Sequence, residues 1–245
     1  MSQPEYAYSA KPTSNPFRYA LALWRFFRSK TGDDIVPEVA IIEIGFARSR
    51  FGRRLARWEE TIAHLNKDPQ TAPALKAQAT SLPVRLDELE RLPHGSLGQV
   101  FAEHCRNRGI NPNLIQVPLE EDSDWLLNHL FQSHDIWHVI TGWSNDDVGE
   151  AGLAGFYCGQ MNSPAFFVFL YGLILIKAVL RREDNVNDLI AAFNTGFHSG
   201  RKAAPLFGII WEERWATPLV ELRQRFAIDP HEAGEFGEGI LAEAA

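Results

Sequence analysis

The chain has 245 residues, of which 45% are hydrophobic and 22% charged, the composition of a globular protein with enough apolar side chains to build a core. Its formal charge of −7 argues against nucleic acid as a general partner, because neutralising phosphates needs a basic face. Two cysteines, Cys105 and Cys158, lie far apart without CxxC spacing; this excludes a disulfide framework or thiolate metal site and fits a reducing compartment.

Residues 1–16 carry Ser2, Pro4, Ser9, Pro12, Ser14 and Pro16 and read as a flexible N-terminal segment without a secretory leader. Residues 17–228 read as one all-α domain, a helical bundle with an apolar groove, and the Gly- and Glu-rich residues 229–245 as a flexible tail. From Phe17 to Arg28 a helical wheel places Tyr19, Ala20, Leu23, Trp24, Phe26 and Phe27 on one side, with Arg18 and Arg25 opposite. Such a helix packs on its own protein or lies on a membrane interface. Arg48, Arg50, Arg53, Arg54 and Arg57 form a basic stretch that is either a solvated helix face or an attractor of anionic headgroups or phosphorylated ligands.

Ser96 can cap a helix through Phe101 and His104, and Asp122 or Ser123 can open one from Trp125 to about Thr141, ended by Gly142. Asp146 or Asp147 starts the next helix. Along it Ala151, Gly155 and Gly159 recur every four residues, a stripe that admits a neighbouring backbone and could bring two ligand-bearing helices together. Ser163 and Pro164 read as N-cap and first residue of a helix with no charged side chain from Ala165 to Ile176. The run is short for a bilayer, which needs about 20 apolar residues. It is a core helix or the wall of a trough for an apolar chain, where Phe166, Phe167, Leu170 and Leu173 are the candidate lipid contacts. Further helices are expected near 186–198, 201–214 and 218–226, the last opened by Thr217 and Pro218.

His134 and His138 are one helical turn apart, so both imidazoles can grip one ion. Asp135 is about 100° round the helix from His134 and either joins the ligands or orients an imidazole. Glu150, eleven residues beyond His138 and past the turn at Gly142, can return a carboxylate from the next helix, although Asp147 to Glu150 also reads as a capping box. His134, Asp135, His138 and Glu150 together form the candidate metal site. Imidazoles with carboxylates suit Zn2+ best, with ferrous iron and manganese as the other ions admitted.

His134-Asp135-x-x-His138 followed by Glu150 resembles the signature of the fourth coenzyme Q (ubiquinone) biosynthesis protein family, the Coq-four family. Leu92, Pro93, Gly95, Ser96, Leu97 and Gly98 are similar to a second element of that family, and Gly200, Leu206, Trp211, Glu212, Pro218, Leu219 and Leu222 to a third. The resemblance covers about residues 90–226 and departs from the family where Gln132 and Ser133 replace an Arg-Glu pair. It also departs after Glu150, where the helix continues through Leu153, Gly155 and Phe156 in place of a Lys and a Glu. It implies an all-helical fold, a zinc-type site and peripheral association with a membrane; the expected location is cytoplasmic, on the inner membrane if the source is a bacterium, with no transmembrane span. The implied partners are a polyprenylated quinone precursor or other prenyl lipid and other ubiquinone-pathway proteins, and a homodimer stays open.

The implied activity is that of a lyase, oxidative decarboxylation at C1 of a polyprenylated 4-hydroxybenzoate-derived ring, with no catalytic residue assigned beyond the metal ligands. A non-catalytic lipid-binding scaffold for the same pathway is the principal alternative. A zinc hydrolase with Asp135 as base ranks below it. A His-Asp phosphohydrolase would need His104 or His129 with Asp184 or Asp188 at the ion, and their spacing does not single them out.

Overall fold

In a computed structural model, residues 8–9, 16–28, 36–69, 71–77, 83–113, 115–116, 122–161 and 165–236 are described. Thirteen helices follow one another among them: α1 Pro16–Arg28, α2 Val36–Arg48, α3 Arg50–Ala56, α4 Trp58–Leu65, α5 Thr71–Ala77, α6 Leu86–Leu89, α7 Leu97–Arg108, α8 Asp122–Thr141, α9 Asp147–Gln160, α10 Ala165–Arg181, α11 Val186–Lys202, α12 Leu219–Phe226 and α13 His231–Gly234. The only strand pairing among the described residues joins Tyr8–Ser9 in parallel to Ile115–Gln116. The architecture is therefore all-α, as the helical periodicity predicted, and α8 forms its centre: Trp125, Trp137 and the adjoining Trp143 are fully buried.

Local chemistry sets the ends of the central helices. Ser96 accepts from the backbone of Gln99 and opens α7. Gly142, at φ 88°, ends α8 in a conformation that side chains resist, with Pro230 pressed close to it. Arg223 of α12, almost wholly buried, donates to the carbonyl oxygens of Val139 and Ile140 at 2.9 and 3.0 Å and so satisfies the last turn of α8. Asp146 accepts from Gly149 at 2.8 Å and caps α9.

The small-residue stripe does bring two backbones together, but its partner is α11 rather than the ligand-bearing α8. A Cβ on Gly155 would meet the carbonyl oxygen of Phe193 at 2.0 Å, and reciprocally one on Gly196 would meet that of Gly152 at 1.9 Å. Ala151, one turn earlier, packs on Leu189 of the same α11 and on Ala178 of α10. Across α9 the buried Lys177 of α10 pairs with Asp147 at 3.1 Å and lies over the Phe26 ring of α1.

Four expectations change. On α1, Ala22 and Phe26 face inward while Ala20 and Trp24 face solvent, because the apolar arc is wider than one face and α2 covers only part of it. Residues 203–210 are not helical: Pro205 and Gly208, at φ 76°, interrupt the chain, and only the 3-10 turn Trp211–Glu213 follows. The tail does not loosen at residue 229, since Ala233 is buried, Phe236 stacks on Trp143, and Glu232 bonds Ser199 and Lys202. Arg48 leaves the basic stretch to pair with the buried Asp124 at 2.8 Å, tying α2 to α8. The expected cap at Ser163 and Pro164 lies outside the described residues, as do residues 237–245.

Candidate metal centre

One turn of α8 stacks His134 over His138, with their rings edge to face at 4.7 Å. Their Nε2 atoms are 3.1 Å apart. Glu150 comes from α9 and straddles the pair, Oε1 lying 3.2 Å from His138 Nε2 and Oε2 3.5 Å from His134 Nε2. With Asp146 as the N-cap, the third helical residue is Gly149, so Glu150 is not part of a capping box and its carboxylate is available to the imidazoles. His138 is fully buried, whereas His134 and Glu150 keep about a third of their side-chain surface, which leaves the cluster open on one side.

These spacings fit a metal. Donors about 2.0–2.1 Å from a tetrahedral ion are separated by edges of about 3.3 Å; the two imidazole nitrogens are 3.1 Å apart, each faces a different oxygen of Glu150 at 3.2 or 3.5 Å, and one donor atom from each residue lies within 4.8 Å of the others. His138 Nδ1 lies 3.0 Å from the carbonyl oxygen of Trp143, an acceptor, so Nδ1 carries the proton and Nε2 presents its lone pair to the cluster. Two imidazole nitrogens and a carboxylate this close require positive charge between them, which a proton on His134 or a divalent ion supplies.

The same partners favour a proton on His134, which a bound ion would displace. Burial opposes a charge on His134, but Glu150, aided by Asp135 and Glu43, raises it to about 9. Burial likewise disfavours the Glu150 carboxylate, yet His138 and His134 hold it well below the usual carboxylate range.

Asp135, expected as a possible ligand, is not among the donors that converge, which among the described residues are His134, His138 and Glu150. The turn of about 100° between adjacent helix residues carries its side chain off the shared face. Its charge acts on His134 and on Tyr157, so its contribution is electrostatic.

Two residues that the sequence reading did not select join the site. Glu43 of α2 sits between the buried Ile42 and Ile44; burial raises its carboxyl to about 8, with His134 lowering and Glu150 raising it. A lone acid inside the run from Ile41 to Phe46 was the signal. Tyr157 of α9 lies two turns beyond Glu150 on the same face, its ring parallel to that of His134 at 6.3 Å.

Other candidates lie elsewhere. His129 accepts from Gly208 at 3.2 Å and stacks on Trp125, and Asp184 and Asp188 are exposed, so these groups do not assemble at the ion. His104 is buried on α7, outside the cluster. Phe166 packs on Trp58 and Phe46, and Phe167 on Tyr157, while Leu170 and Leu173 are half-buried. A methyl group on Gly172, on the same helix, would meet nothing within 4 Å.

The fold is all-helical, and its cluster of two histidines and one carboxylate is of a composition that could hold a divalent ion. The family described as "Coenzyme Q (ubiquinone) biosynthesis protein Coq4" matches residues 56–232, and the chain belongs to it. Among curated proteins it is 25% identical over 173 residues to the mitochondrial ubiquinone biosynthesis protein COQ4 homolog of Rattus norvegicus, covering 68% of this chain and 63% of that protein. It is 24% identical over 159 residues to mitochondrial COQ4 of Pyricularia oryzae, covering 63% of this chain and 51% of that protein. The chain thus spans between half and two thirds of these relatives' length. A crystal structure of a candidate ubiquinone biosynthesis protein from Nostoc punctiforme PCC 73102 superposes with a TM-score of 0.70 at 25% identity, covering 87% of this chain and 98% of that one.

Proposed function

We propose that the chain holds one divalent ion, zinc first and otherwise ferrous iron or manganese, through His134, His138 and Glu150. On this reading it acts in ubiquinone biosynthesis as an oxidative decarboxylase at C1 of a polyprenylated 4-hydroxybenzoate-derived ring. The observation that carries the reading is the convergence of three donor side chains, one ligand atom of each within 4.8 Å of the others, in a cluster open on one side. When bound, the ion supplies a Lewis acid able to neutralise the carboxylate and phenolate of such a ring.

The chain's own residues do the rest. Trp143 fixes the tautomer and direction of His138, and Glu150 holds both imidazoles in register. Glu43, raised to about 8, is protonated at neutral pH and can pass a proton at its carboxyl oxygen. The oxidant that replaces the carboxylate by hydroxyl, of the dioxygen class, comes from outside the protein. The half-buried Leu170 and Leu173 and the open flank at Gly172 are the surface on α10 that a prenyl chain would use.

No helix among the described residues is long and apolar enough to cross a membrane. Access to a prenylated substrate then depends on a surface that lies on the bilayer. α1 offers one: Phe17, Leu21 and Trp24 are exposed, and Arg18, Arg25 and Arg28 accompany them on a helix without a carboxylate.

A scaffold that binds lipid without chemistry is the second reading. It is favoured by Ser133, whose hydroxyl is spent on the carbonyl of His129 where the family pattern has an acid. The experiment that separates the two is complementation of cells lacking this protein. Loss of ubiquinone with accumulation of a prenylated intermediate still bearing its C1 carboxylate supports the assignment to this step. Failure of a folded His138→Ala variant to restore ubiquinone supports the enzyme, and restoration by it supports the scaffold. Normal ubiquinone in the depleted cells, with no other protein covering the step, contradicts both.

A further inference from the structure

Tyr157 is 2% exposed, and its hydroxyl oxygen, fully shielded, makes no hydrogen bond among the described residues. Its ring is clamped between two others, Trp137 at 4.3 Å and 15° and Phe167 at 4.3 Å and 2°, so it cannot swing out to find a partner. Helical side chains lean toward the N-terminus of their helix, and from Tyr157 that direction leads back to Glu150, seven residues earlier on the same face. The charges of Glu150, Asp135 and Glu43 all act on the phenol, yet none of these carboxylates bonds to it. A buried hydroxyl held rigidly and left unsatisfied is costly, and sites for bound groups are where such a cost recurs.

We infer that the Tyr157 hydroxyl is a hydrogen-bond donor to an oxyanion oxygen of the ligand bound at His134, His138 and Glu150. The inference rests on the metal reading given above and adds to it a residue that touches the ligand. A phenol that stays protonated can donate to a carboxylate or phenolate oxygen, whereas a ligand offering only apolar or donor groups would leave it unpaired.

The test uses the full chain loaded with cobalt(II), whose visible absorption reports changes at the ion, titrated with 4-hydroxybenzoate as the probe. Tyr157→Phe keeps the ring and removes only the oxygen. It should retain one cobalt per chain and melt no lower than the parent, while its affinity for the probe falls about 10-fold or more, the loss of one hydrogen bond to a charged acceptor. Equal probe affinity in a cobalt-loaded Tyr157→Phe protein overturns the inference and leaves the metal reading standing. So does a variant that melts well below the parent or loses its cobalt, because the hydroxyl then serves the fold. If the parent protein takes up no cobalt, the metal reading fails and carries this inference with it.

Discussion

His138 and Trp143 are joined by a 3.0 Å hydrogen bond from the imidazole Nδ1 to the backbone carbonyl, so the turn after α8 dictates the direction in which a metal donor points. That turn depends on Gly142, whose φ of 88° is unfavourable for any side chain and whose added Cβ would lie 3.0 to 3.2 Å from Pro230. Gly142→Ala should displace the Trp143 carbonyl and weaken zinc binding about 10- to 100-fold, as losses of such supporting bonds do. Competition titration with a chromophoric chelator measures this, and unchanged affinity would show that the turn does not orient His138.

The seam between α9 and α11 is a second support for the site, since it holds the helix that carries Glu150. In Gly196→Ala the new methyl would sit 1.9 Å from the carbonyl oxygen of Gly152, and the helices must part. A destabilisation of about 3 kcal/mol or more is expected from such overpacking, with weaker metal binding as α9 moves. Urea unfolding of the metal-free variant checks the first effect, and a midpoint within error of the parent would contradict the packing.

How much of this was legible in the residues depends on the range of the interaction. The i, i+4 histidines, the cap at Asp146 and the stop at Gly142 are local, and the helices of residues 97–200 follow from them. Glu43 could not be assigned, because it is about 90 residues away in sequence and reaches the cluster only through the packing of α2, held by the Arg48 to Asp124 pair. The partner of the glycine stripe was equally hidden: spacing reveals that a close neighbour exists, and only the tertiary fold chooses α11. Asp135 was misplaced as a ligand because adjacency in sequence on a helix means separation in direction.

Acid should destabilise the protein through its buried histidines. Burial lowers both His129 and His104 to about 4, with the charge of His138 also acting on His104. The unfolded chain, whose histidines titrate near 6.5, therefore binds more protons between those values, and the folded state loses stability as pH falls through the window. Each group contributes up to about 3 kcal/mol, fully present above pH ~6.5. Glu43, which keeps its proton in the fold up to about pH 8, works the other way between about 4.5 and 8, so His129→Gln, which cannot titrate, should remove most of the net dependence of the urea midpoint on pH in that window. A slope equal to the parent's between pH 6.5 and 4 would contradict the assignment.

The outward face of α1 predicts lipid contact. Leu21→Glu with Trp24→Glu removes two of its exposed apolar groups and adds negative charge beside Arg25 and Arg28. The double variant should fail to float with vesicles containing anionic lipid while keeping its fold and metal, and the parent's flotation should weaken with salt. Flotation equal to the parent's would place the membrane contact elsewhere.

The central claim is that His134, His138 and Glu150 hold one divalent ion, and elemental analysis of protein dialysed against excess zinc tests it most directly. The parent should retain about one zinc per chain, His134→Ala and His138→Ala should retain almost none, and Glu150→Gln should bind more weakly than the parent. His198→Ala, which alters an exposed histidine outside the cluster, should match the parent. Full zinc content in both histidine variants, or none in the parent, would contradict the account.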